Sequence, residues 1–181
     1  QNPDDDDAKK YCDGIAVDIK RELFRKAQKL QAEEKISEAE EIYASISLEP
    51  PITDDIRVGI ASNWGACLMG LGRKYEALQS FNIAIELKPD CLPAHFNRGL
   101  LFKSDNQFSE ACIEFEEALK LKPTLAAALT GLLECFAQLH RSQDLLDLST
   151  KILDENTLVD DFRPLFYRAL AHYRMGAYLL G

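Results

Sequence analysis

The chain has 181 residues, with 21 Lys and Arg against 30 Asp and Glu and a formal net charge of −9. That balance excludes the clustered positive charge a nucleic-acid surface needs. No apolar run approaches the ~20 residues of a membrane span, and the polar stretch Gln1 to Lys10 lacks the apolar core of a signal peptide. With 46% hydrophobic and 28% charged residues, most of the chain can fold.

Residues 1–13 hold four adjacent aspartates, Asp4 to Asp7. Like charges without an apolar period predict a disordered acidic tail, which carries four of the negative charges outside the fold. From Ile15 onward apolar residues recur every three or four positions, as in Ile15, Ile19, Leu23, Ala27 and Leu30. The pattern is helical nearly throughout, so the fold class expected is all-α.

Residues 58–90 and 92–124 repeat one another. Gly65 and Gly99, Ala77 and Ala111, Phe81 and Phe115, Ala84 and Ala118, and Pro89 and Pro123 are each 34 residues apart. A fixed period of that size marks a solenoid of stacked units. The residue types suit such a unit. Small residues stand where two antiparallel helices approach, a phenylalanine knob fills the space between them, and a proline stops the second helix.

An earlier unit places Ala27, Ala39, Tyr43, Ile46 and Pro51 in these roles, and the step from Ala39 to Ala77 is 38 residues. The four extra residues are expected in the loop at Ile52 to Asp55. A later unit is degenerate, with Leu133, Leu145, Ser149 and Ile152 at the signature positions, yet it keeps two apolar faces. Residues 162–181 read as the first helix and turn of a further unit. The boundaries expected are 20–53, 58–91, 92–125 and 126–159, with a partial fifth over 162–181. The length then reads as a cut through a longer solenoid.

Phe81, the alanines, the glycines and the helix-ending prolines carry a resemblance to the tetratricopeptide repeat, strong in the middle two units and weak at the carboxyl end. The resemblance implies a right-handed α-solenoid of antiparallel helix pairs, with first helices lining a concave face that binds a peptide or helix of another protein. By register that groove is expected to use Arg21, Phe24, Arg25 and Gln28, then Asn63 and Met69, then Phe96, Asn97, Leu100 and Lys103, then Thr130 and Glu134. Asn63 and Asn97 recur at one position, and an amide can hold a peptide backbone through both donor and acceptor. Arg21 and Arg25 also read as a solvated face beside Glu22.

Chaperone-binding members of that family clamp a terminal carboxylate with two Lys, two Asn and an Arg. Only Asn63 matches; Phe24, Gln28, Pro93 and Asn97 occupy the other four positions, so carboxylate binding of that kind is not expected. The related 35-residue unit that reads RNA needs a basic groove, which this acidic chain lacks.

No enzyme is expected. His95, His140 and His172 have no nucleophile or metal motif beside them, and Gly72 in "MGLGRK" is a turn residue. The five cysteines, Cys12, Cys67, Cys91, Cys112 and Cys135, form no metal-ligand spacing. They read as free thiols of a reducing compartment, cytoplasmic or nuclear, with no cofactor. The expected function is therefore a scaffold or adaptor. The alternative is a structural arm, or a homodimer contacting through the carboxyl-terminal helix, where Tyr178, Leu179 and Leu180 lack a covering partner.

Overall fold

The computed structural model describes residues 3–46, 48–158 and 161–176. Among these there are nine helices and no strand: α1 (Pro3–Ala32), α2 (Ile36–Ser45), α3 (Asp54–Gly70), α4 (Lys74–Leu87), α5 (Leu92–Ser104), α6 (Phe108–Leu121), α7 (Ala126–Gln138), α8 (Ser142–Asp154) and α9 (Arg163–Arg174). They form an all-α solenoid of helix pairs. Two compact units divide the chain between Ala94 and His95. Tyr178, Leu179 and Leu180 lie outside the described residues.

Residues 3–13, expected as an acidic tail, lie within the first helix. Helix α1 begins at Pro3, so the aspartate run occupies its first turns. Acidic residues near a helix start suit the positive end of its dipole, and proline suits the first helical position because its missing N–H has no partner to lose.

Each helix pair closes through the same backbone turn. Glu34, Gly72, Asn106 and His140 have φ of 61°, 76°, 59° and 55°, and they stand 38, 34 and 34 residues apart. Beside them Lys35, Arg73, Gln107 and Arg141 donate their N–H groups to the carbonyls of Leu30, Leu68, Phe102 and Phe136 at 2.9–3.0 Å. This left-handed cap satisfies carbonyls that a helix end leaves unpaired. Only one of the four positions is glycine.

In the first unit Ala27, Ala39, Tyr43 and Ile60 are fully buried, and Ala77, Phe81 and Ala84 are fully buried behind them. A Cβ added at Gly65 would lie 2.6 Å from the Phe81 ring. This is a distance no side chain tolerates, so α3 meets α4 through a bare backbone.

In the second unit Phe115 has the same relation to Gly99, where an added Cβ would lie 2.9 Å away. Its other side abuts Gly131 of α7, where the corresponding distance is 2.8 Å. The fourth pair reverses the sizes: Leu133 stands at the glycine register and Ser149 at the phenylalanine register, both with no exposed surface. Large and small have changed helices, which keeps volume in the core.

Candidate groove and buried polar networks

Within the first unit, a groove of about 400 Å³ is lined by Phe24, Gln28, Asp55, Val58, Ser62, Asn63, Lys88, Asp90 and Pro93, among others. Helices α1 and α3 supply its walls. Gly59 allows the approach, since a Cβ there would come within 2.8 Å of the Phe24 ring. Phe24 also packs against Tyr43, with ring centroids 6.2 Å apart. Three of the expected peptide contacts, Phe24, Gln28 and Asn63, thus share one groove.

Asn63 is anchored from behind. Its side chain hydrogen-bonds Tyr43, whose hydroxyl donates to Gln31 Oε1 at 3.2 Å. Burial of Tyr43 pushes its phenol up to about 12. One bond to Tyr43 leaves an amide with further donor and acceptor capacity. Lys88 shares the lining with Asp55 and Asp90. Met69 is on α3 and is not among the lining residues. Arg21 and Arg25 sit on the solvent side of α1, Arg21 paired with Asp18 at 2.9 Å and Arg25 with Glu22 at 3.7 Å.

A second polar feature of this unit has no signature in the sequence. Glu40 of α2 is buried and accepts the Trp64 indole N–H at 3.0 Å, while the Arg73 guanidinium lies 2.9 Å from the same oxygen. Burial and the Glu40 charge raise the Cys67 thiol to about 11.

In the second unit Phe96 packs on Phe115 at 6.1 Å, and Lys103 pairs with Glu134 at 2.5 Å. Asn97 and Leu100 are half-buried. Thr130 is buried, its hydroxyl donating to the Ala127 carbonyl at 3.1 Å. Its side chain therefore lies against the protein interior.

His95 is also buried. Its Nδ1 lies 2.9 Å from Glu114 Oε2, and Arg98 donates to Glu114 Oε1 at 2.7 Å. Both carboxylate oxygens are engaged, as a buried charge requires.

Cys112 and Cys135 are buried partners. Their mutual hydrogen bond lowers the Cys112 thiol below its usual range and raises that of Cys135. Among the described residues, no group of three or more His, Cys, Asp or Glu side chains is placed to hold a metal ion. No helix there is long and apolar enough to cross a membrane.

Stacked antiparallel helix pairs with a glycine–aromatic contact and a left-handed turn define a helical-repeat protein. Residues 92–125 match the tetratricopeptide-repeat family, the range that the 34-residue spacing marks off as the third unit. Residues 92–125 are thus a tetratricopeptide repeat, set in an all-α stack of helix pairs.

Solved structures with the same fold include MamA, from residue 41 to its end, of Desulfovibrio magneticus. It has 16% identity and a TM-score of 0.72, covering 87% of this chain and 86% of that one. A tetratricopeptide repeat protein from Parabacteroides merdae is 19% identical with a TM-score of 0.64, over 85% of this chain and 58% of its own. YrrB, described as a tetratricopeptide protein with an unusual peptide-binding site, is 19% identical with a TM-score of 0.63, over 79% and 71%. No curated protein sequence matches the chain significantly.

Proposed function

We propose that the chain is a protein-interaction module and that the first-unit groove holds an extended, uncharged segment of another protein. The observation that carries this reading is the meeting of Phe24, Gln28 and Asn63 in one groove. An aromatic wall and two amides suit a peptide whose backbone is held by hydrogen bonds and whose apolar side chain packs on Phe24. YrrB, with the same fold, is described by its peptide-binding site, which supports a role of this kind. The groove lining has one cation and two carboxylates, so a free carboxy terminus is a poor ligand. A rigid stack loses little ordering entropy on binding. The four buried free thiols support a reducing compartment, cytoplasmic or nuclear.

The test is capture of partners on the immobilised chain, followed by mass spectrometry and affinity measurement on the captured segment. Phe24→Ala and Gln28→Ala should each weaken binding about tenfold, worth ~1.4 kcal/mol. Binding that is unchanged in both variants refutes the groove.

A second reading rests on α9. Phe162, Leu165, Phe166 and Tyr173 are all more than half exposed, an apolar stripe suited to a neighbouring subunit. Phe166→Ser should then abolish an assembly that Phe24→Ala leaves intact.

A further inference from the structure

Helix α1 is 30 residues long, about 45 Å at the α-helical rise, while its partner α2 has only 10. The amino-terminal half of α1 therefore extends past its own hairpin. Ala27 is fully buried on the inner face, with Leu23 and Leu30 packed beside it. Towards the amino end the same four-residue spacing drifts out of the core, and Tyr11, Ile15 and Ile19 are 72%, 45% and 56% exposed. Such a stripe is an apolar surface that a second helix can cover.

The charge along this helix favours one kind of cover. Residues 3–18 hold six aspartates against Lys9 and Lys10, whereas residues 20–29 hold Lys20, Arg21, Arg25, Lys26 and Lys29 against Glu22. The apolar stripe lies between. One helix is thus negative at its start, apolar in its middle and positive at its end. The surface complementary to it at both ends is the same helix running the other way. Arg25, Lys26 and Lys29, with Glu22 beside them, share a shallow depression with Ile19 and Leu23, so this end, three cations against one carboxylate, also offers apolar footing.

We propose that the chain forms an isologous dimer in which α1 packs antiparallel on α1 of a second copy. In this register Ile15 meets its own counterpart on the two-fold axis. Tyr11 of each copy lies level with Ile19 of the other, and positions 4 and 5 lie level with Lys26 and Arg25. Each unlike-charge end occurs twice, as an isologous interface demands. A parallel pairing would set the aspartates against one another and is disfavoured by the same charges. The dimer does not involve the peptide groove and does not depend on it.

The experiment is sedimentation of the whole chain over a concentration series. The wild type should dimerise at micromolar concentration and dissociate as salt is raised, because exposed charges are screened. Ile15→Glu, at an exposed position, should weaken the dimer at least about tenfold, with the helix content unchanged by circular dichroism.

Asp4→Lys with Asp5→Lys should weaken it, and so should Arg25→Asp with Lys26→Asp. All four changes together in one chain should restore it. In a Cys12→Ser background, Ile15→Cys should cross-link to its counterpart on oxidation. A wild type that stays monomeric at high micromolar concentration overturns the proposal. So does a dimer lost in Phe166→Ser but kept in Ile15→Glu, which would place the contact on α9. Failure of the fourfold exchange to restore what each pair removed overturns the antiparallel register.

Discussion

Repeats two and three share a scaffold and differ in what they bury beside it. In both, a glycine backbone on the first helix meets a phenylalanine on the second. In repeat two the side chains next to that contact are Ala61, Trp64 and Ser80. In repeat three the residues at the same three registers are His95, Arg98 and Glu114. A neutral trio has been exchanged as a set for an ionic one. The buried carboxylate of Glu114 would be costly alone; it is tolerable because His95 and Arg98 each engage one of its oxygens. The repeat signature thus defines the hairpin, while the individuality of each unit sits one position or one helical turn away from the signature.

The largest test of that comparison is Glu114→Ala. It removes the buried carboxylate that His95 and Arg98 share and should cost about 3–5 kcal/mol in denaturant unfolding. Replacing the whole trio by its repeat-two counterpart, His95→Ala with Arg98→Trp and Glu114→Ser, should recover most of that loss. A triple variant as unstable as the single one would show that the trio is not interchangeable.

Next in size are Gly65→Ala and Gly99→Ala. Each pushes a methyl into a phenylalanine ring and should cost about 1–3 kcal/mol. Similar values for the two would establish that both repeats depend equally on the close approach. A cost at only one would break the equivalence.

A smaller effect is expected in alkali and in the first unit alone. Tyr43 is raised to about 12 by burial, above the ~10 of an exposed phenol. Its contribution to stability is complete below the unfolded value and is lost as pH rises from there through the folded one, because the unfolded phenol gives up its proton first. Unfolding monitored across that window should be less steep in Tyr43→Phe, and tyrosinate absorbance should lose one late-titrating group in the same variant.

The smallest effect concerns the turns. His140 has φ of 55°, and His140→Gly should stabilise the fourth pair by up to about 1 kcal/mol, the strain relieved exceeding the entropy glycine adds. A loss of stability instead would mean that the imidazole contributes more than its backbone costs.

The parts of this fold that the sequence discloses are those enforced by repetition. Phe81 and Phe115, Ala77 and Ala111, and Gly65 and Gly99 all occupy the roles their spacing implies. The degenerate pair is legible only through its apolar faces, because Leu133 and Ser149 exchange large for small across one contact. The turns at Glu34 and His140 carry no glycine to announce them, since position in the hairpin imposes the conformation.

Helix at the acidic amino end is hidden because charge density masks the dipole that favours it. Of the candidate contacts, Phe24, Gln28 and Asn63 converge. Thr130 turns inward, and Lys103 and Glu134 consume one another. Register places a residue on a helix face, but it does not say whether a neighbour has already claimed its side chain. Glu40 and Glu114 are illegible for the same reason, since an acid on an amphipathic helix looks solvated until its partners are known.

Trp64 is the chain's single tryptophan, and its indole is fastened to Glu40 inside the first unit. Its emission is therefore a local thermometer in a molecule whose backbone signal comes from both units. Helical stacks approximate a chain of nearest-neighbour couplings, so their melting need not be a single event. If the indole signal and the far-ultraviolet signal fall together, the two units melt cooperatively. If the indole departs first or last, the interval between the curves measures the coupling between one unit and the other.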